Sequence, residues 1–299
     1  MEKNFNVASF FIVKKLKAIW ELMRLGHGFM LVVAIFIGSV IAAKGFPPWD
    51  KLFFAFLTAL FLEAATFALN DYFDLEVDKK NKRMDRPLVR GDLMPMTAVL
   101  IYFIFLPAGI LTSIMVNTTC FLIAIINAVI ATLYDVKLKE IKIIGNFYIA
   151  FIMAIPFIFG GTTISTKLPP IIFFISFIAF LTGVGREIMK DVMDFAGDAE
   201  RKTKSFPLYV GKKRANVIAS GFYITAIAMS FIPFIFNVDK AYYHDFIYLS
   251  FVLITDILLI YTSVIIIQKT DTKNLDKCRK ISLLAIFIGL IAFLAGAFA

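Results

Sequence analysis

The chain has 299 residues and a formal net charge of +9; 60% of its residues are hydrophobic, with 34 Phe, and only 18% are charged. Soluble domains are about 45–50% apolar and about a quarter charged, so this composition excludes an ordinary water-soluble protein. The two cysteines, Cys120 and Cys278, and the two histidines, His27 and His244, lie far apart in sequence, which argues against a disulfide framework, a zinc site or thiol redox chemistry.

The chain opens with MEKNFNVASFFIVKKLKAIWELMR. Its apolar stretch is short, is interrupted by Lys14, Lys15 and Lys17, and has no small-residue cleavage site after it, so it does not read as a signal peptide. An amphipathic helix on a membrane surface is expected there. Apolar runs near twenty residues then recur along the chain and predict an all-α polytopic membrane protein with nine transmembrane helices. The spans are expected at about 27–44, 51–70, 95–116, 118–134, 144–164, 169–189, 213–236, 243–267 and 280–299. Pro107, Pro156 and Pro233 fall inside them, as membrane helices allow.

Numbering the loops alternately puts 27 Lys and Arg on the side of the amino terminus and only Lys44, Lys51, Lys167 and Lys240 on the other. The positive-inside rule therefore predicts a cytoplasmic amino terminus and an outside carboxyl terminus in the cell membrane. Most of the net charge is then a topology signal, not a nucleic-acid footprint.

Two acidic clusters interrupt the apolar pattern, both on the predicted cytoplasmic side. Asp71, Asp74 and Asp78 follow the second span, and Asp191, Asp194 and Asp198 follow the sixth. The matching positions suggest two related halves, about 27–134 and 144–267, with a ninth helix at 280–299, in a single domain covering 1–299. In each cluster the spacing is i, i+3, i+7, which on a helix gives one stripe of carboxylates. Such stripes repel themselves unless a cation lies against them. One cluster alone is commonly a solvated acidic turn; two at the same place on the same membrane face argue for chemistry. Oxygen donors without nearby His or Cys select hard cations, Mg²⁺ above all, which typically bridges carboxylates to substrate phosphates. Arg83, Arg86 and Arg90 follow the first cluster, while Arg186, Lys190, Lys202 and Lys204 flank the second. Such cations suit phosphate oxygens, although retention of a cytoplasmic loop explains part of them. YDVKLKE adds Tyr134 and Lys139, and ELMRLGH puts Arg24 and His27 on about one helix face.

NDYFDLEVDKKNKRMDRPLVRG resembles the first motif, and KDVMDFAGDAERKTKSFPLYVGKKRA the second, of the UbiA superfamily of intramembrane prenyltransferases. The resemblance covers most of the chain. It implies a helical bundle around a central cavity, capped on the cytoplasmic side and open laterally to lipid. Carried over to this chain, the six aspartates would be catalytic and hold Mg²⁺ and, with Asn70, a prenyl diphosphate. Arg24, His27, Arg86, Tyr134, Lys139 and Lys190 are the further substrate-binding candidates. Arg24-Leu25-Gly26-His27 departs from the R-P-x-N of many relatives. REIMKDVMDFAGD resembles the archaeal branch that makes ether lipids. That branch implies transfer of a geranylgeranyl group from its diphosphate to the hydroxyl of geranylgeranylglyceryl phosphate, a lipid-like acceptor. The same ionisation with an aromatic acceptor, giving a quinone precursor, is the alternative. A secondary transporter is a further one, although the carboxylates sit at span ends; Glu63 and Asp256 are the exceptions.

Overall fold

A backbone crossing hydrocarbon must satisfy its N–H and C=O groups internally, and this chain does so with helices. The computed structural model describes residues 2–201 and 203–298, without the side chains of 2–11, 27, 140 and 201. In chain order the helices are α1 (Glu2–Met23), α2 (Leu25–Ala43), α3 (Trp49–Lys80), α4 (Pro87–Arg90), α5 (Pro95–Val116), α6 (Thr118–Val136), a 3₁₀ turn (Leu138–Glu140), α7 (Lys142–Thr162), α8 (Pro170–Met193), α9 (Phe195–Arg201), α10 (Phe206–Val210), α11 (Lys212–Ser230), α12 (Ile232–Ile235), α13 (Phe246–Gln268) and α14 (Thr272–Gly296). Among the described residues no strand is formed.

Eight helices are long and apolar enough to cross a membrane. A ninth span is counted if Ile12–Met23 and Gly28–Ala43, bent by 52° to each other, make one crossing. The protein is therefore a multi-pass membrane protein with eight to nine spans. Arg24 stands at that bend with φ 48°, a left-handed backbone that interrupts the helix. Pro107 and Pro156 lie inside α5 and α7 as expected. Pro233 also lies inside a span, Lys212–Ile235, but at a break in its helix. α11 stops at Ser230, and Pro233 sits in the first turn of the short α12, because a proline cannot donate the interior hydrogen bond.

The described chain divides into two compact units. The first comprises Met1–Val32 and Trp49–Lys137, and the second Val33–Pro48 and Leu138–Ala299. In the first, α3 packs on α5, α6 and α1. Ala18, Leu22 and Met23 of α1 join Ala64, Ala68 and Leu75 of α3 in one buried cluster, closed by Leu88 and Leu93. The opposite face of α1 exposes Ile12, Val13, Leu16 and Trp20, so this helix is amphipathic as its sequence suggests. In the second unit α8 packs on α7, α11 and α14. Its buried core takes Val184, Ile188 and Val192 from α8 with Ala219 and Tyr223 from α11. Small residues allow close helix approach there. A Cβ on Gly160 would lie 2.1 Å from the Ile35 carbonyl oxygen, and one on Gly38 2.1 Å from that of Phe157. Ser39 Oγ donates to the Gly160 carbonyl across the same crossing, at 2.9 Å.

Candidate active site

The second predicted span is apolar only to about residue 70, but α3 runs on to Lys80. Charged residues end the hydrophobic stretch without ending the helix, since Leu, Glu and Lys are good helix formers. Asp71, Asp74 and Asp78 are thus all on one helix. Asp71 and Asp78 are buried and Asp74 is half-buried, as expected of positions sharing one face. Asn70 Nδ2 donates to Asp74 Oδ2 at 2.9 Å, which orients that carboxylate.

Two arginines from outside α3 meet this stripe. Arg24 Nη2 donates to Asp71 Oδ1 at 2.5 Å, and its guanidinium lies 4.4 Å from the centre of the Phe67 ring. Arg86 Nη1 lies 3.4 Å from the same Asp71 oxygen, and its Nε 3.8 Å from Asp78 Oδ2. The turn that carries Arg86 is built by local sequence. Pro87 starts α4 with φ already fixed, and Gly91 ends it in the left-handed region at φ 76°. Arg83 grips Asp85 through Nε and Nη2 at 3.0 and 2.9 Å, and those bonds pull the Asp85 carboxyl down to about 2. Arg90 bonds both Asp92 and Glu21 of α1, and Lys14 of α1 pairs with Asp92 at 2.8 Å. Lys14 and then Arg90 hold the Asp92 carboxyl below its ordinary value. The arginine-rich loop and α1 are thereby fastened to each other.

The second motif departs from the expected single helical stripe. α8 ends at Met193, Asp194 occupies the junction with φ −86° and ψ 5°, and Asp198 sits on α9. Asp191 and Asp198 are buried and Asp194 is exposed. What unites them is Lys142, the first residue of α7. Its Nζ lies 2.8 Å from Asp198 Oδ1, 3.5 Å from Asp191 Oδ1 and 3.8 Å from Asp194 Oδ2. One turn along α7, Asn146 donates to Asp191 Oδ2 at 2.7 Å. Lys142 reads in the sequence as one of several topology charges, and Asn146 has no motif signal; only the packing of α7 on α8 reveals them.

The remaining candidates divide. Lys190 is turned to Glu187, with Nζ 2.7 and 2.9 Å from its two oxygens. Tyr134 lies in the last turn of α6 and Lys139 on the 3₁₀ turn. The side chain of His27 lies outside the described residues. Arg186 Nη1 bonds the Arg279 carbonyl at 2.9 Å and Ser282 Oγ at 3.2 Å, which fastens α8 to α14.

Among the described residues no three carboxylate, imidazole or thiol groups form a preassembled metal cage; the carboxylates lie against Arg and Lys instead. The donor set nonetheless fits a hard cation. It is made of oxygen, and Asp71 Oδ2 is buried without a hydrogen-bond partner among the described residues.

These features define a multi-pass helical membrane protein with two acidic motifs, each on a helix end and each neutralised by basic side chains. A family model described as the UbiA prenyltransferase family matches residues 31–291, and the chain belongs to that family. It is an enzyme of the prenyltransferase class. Digeranylgeranylglyceryl phosphate synthase of Archaeoglobus fulgidus is 44% identical over 95% of this chain and 96% of its own length. A solved structure concerning digeranylgeranylglyceryl phosphate synthase in membranes matches with a TM-score of 0.79 and 30% identity, over 95% of this chain and 99% of that one. A UbiA homologue from Archaeoglobus fulgidus, solved bound to DMAPP and Mg²⁺, shares the fold with a TM-score of 0.63 and 19% identity over 92% of this chain and 98% of that one.

Proposed function

We propose that this protein transfers the geranylgeranyl group of geranylgeranyl diphosphate to the free hydroxyl of geranylgeranylglyceryl phosphate, forming the second ether of an archaeal diether lipid precursor. The observation that carries this reading is the pair of aspartate motifs, each with oxygen donors and basic side chains at a helix end. The likeness along nearly the whole chain to synthases named for that product supports this acceptor over an aromatic one.

Asp71, Asp74 and Asp78, with Asp191, Asp194 and Asp198, would hold Mg²⁺; when bound, it neutralises and polarises the diphosphate leaving group. Asn70 and Asn146 orient Asp74 and Asp191. Arg24, Arg86 and Lys142 neutralise the carboxylates at rest and are long enough to turn to phosphate oxygens. As the allylic C–O bond breaks, these cations stabilise the charge gathering on the diphosphate. Apolar side chains exclude the water that would otherwise capture the allylic cation. His27, Tyr134, Lys139 and Lys190 are assigned supporting contacts with substrate. The domain is taken to span the whole chain as two related halves and a last helix. The loop charges support an amino terminus and a site mouth on the cytoplasmic side and a carboxyl terminus outside.

The test is release of diphosphate from geranylgeranyl diphosphate by purified protein. Release is expected to need Mg²⁺ and to fall at least about a thousandfold in Asp74→Ala and Asp194→Ala, the scale of losing core electrostatic stabilisation. Undiminished release by both variants would refute the assignment.

A further inference from the structure

Glu63 is a buried carboxylate that the proposed function does not use. Glu63 lies midway along α3, 9% exposed, and its Oε2 is buried with no hydrogen-bond partner among the described residues. A carboxyl group in a membrane-spanning helix is expensive and marks function more often than packing. Two further observations show that the fold accommodates it specifically. A Cβ on Gly28 of α2 would stand 2.5 Å from Glu63 Oε2 and 2.5 Å from Leu60 Cδ2, so the Glu63 carboxyl packs directly against the Gly28 backbone. Arg24, the hinge residue that also bonds Asp71, is the charged group whose field reaches Glu63.

Register on α3 tells where Glu63 acts. Residues at i+7 and i+11 share its face, and these are Asn70 and Asp74. At about 1.5 Å per residue Glu63 lies roughly 10 to 16 Å from them along the helix axis, toward the apolar middle of the span. A diphosphate held at Asp71 and Asp74, as proposed above, would extend its prenyl chain to that side, into the apolar region. The acceptor hydroxyl must approach the same carbon.

We infer that Glu63 receives the hydroxyl of the lipid-like glycerophosphate acceptor and takes its proton as the ether forms; this rests on the reading proposed above. In that step the allylic C–O bond breaks and its electron pair leaves with the diphosphate. A lone pair of the acceptor oxygen forms the new C–O bond. The O–H proton passes to the Glu63 carboxylate and is later lost to water. Accepting this proton is a task worth about two to four orders of magnitude in rate.

The experiment compares wild type with Glu63→Gln and Glu63→Ala in nanodiscs, using geranylgeranyl diphosphate, geranylgeranylglyceryl phosphate and Mg²⁺. Glutamine keeps the carbonyl acceptor and cannot take the proton. Glu63→Gln is expected to hold KM for both substrates within about threefold and to lose at least about a hundredfold in kcat for diether. A larger share of the turned-over diphosphate should then appear as prenyl alcohol, from water capture. Glu63→Ala is expected to raise KM for the acceptor as well, with the melting temperature near wild type. Gly28→Ala, which crowds the same carboxyl, should reproduce the altered product ratio. A kcat for Glu63→Gln within threefold of wild type, or equal loss of prenyl diphosphate binding in both variants, overturns this assignment. Wild type that makes no diether overturns the proposed function itself.

Discussion

Replacing Lys142 by Met removes an amine that lies within 4 Å of all three aspartates of the second motif. Asp191 and Asp198 are buried, so each would lose its lysine contact while still facing low dielectric, with Asn146 still donating to Asp191. Breaking a buried pair in this way costs about 3–5 kcal/mol. The Lys142 side chain is 25% exposed and that of Asp194 61% exposed, which argues for the lower end, ~3 kcal/mol, with Asp194 adding little. The same carboxylates, freed of the amine, should bind a divalent cation more readily. Ligand present at a hundred times its Kd stabilises by about 2.7 kcal/mol, so excess Mg²⁺ should offset most of the loss. The assay is thermal unfolding in detergent, with chelator and with Mg²⁺. Lys142→Met should melt well below wild type in chelator and close to it in Mg²⁺, while diphosphate release stays impaired. Destabilisation of equal size in both conditions would refute the reasoning, since Lys142 would then only fill space.

Other outcomes follow from the geometry. Arg24→Ala frees Asp71 of its shortest cationic contact, so it should weaken prenyl diphosphate binding about tenfold or more, read by isothermal titration. Gly160→Ala puts a methyl group 2.1 Å from the Ile35 carbonyl oxygen, and about 1–3 kcal/mol of stability should be lost, seen in the melting curve. Asp85 has a depressed folded pKa of about 2 against an unfolded value of 3.8, so its contribution is present above 3.8 and lost as pH falls through 2. Asp85→Asn should therefore leave the shape of the pH–rate profile between pH 5 and 8 unchanged.

Much of this account was legible in the residues, and the gaps have physical causes. Apolar runs of membrane length announced the spans, because a helix in lipid has little other choice. Asp71, Asp74 and Asp78 read correctly as one helical face, although hydropathy alone ended the span ten residues before α3 ends. The break at Asp194 was not legible; Phe-Ala-Gly-Asp carries no proline, and only the backbone shows α8 giving way to α9 there. Lys142 was hidden among loop charges that obey the positive-inside rule, since that rule counts a lysine without saying what it touches. Lys190 showed the converse. Its place beside Asp191 points to the site, while its pairing with Glu187 three residues earlier is a local contact that the motif does not announce. Gly28 and Glu63 meet from different helices, a pairing that no local pattern announces.

The central claim concerns the acceptor, and a competition measures it directly. Purified protein in nanodiscs receives labelled geranylgeranyl diphosphate, Mg²⁺, and geranylgeranylglyceryl phosphate together with an equal amount of 4-hydroxybenzoate. The account predicts label in a diether glycerophosphate, identified by mass spectrometry, and none in the prenylated aromatic acid. Label in the aromatic product, with the glycerophosphate untouched, would contradict it.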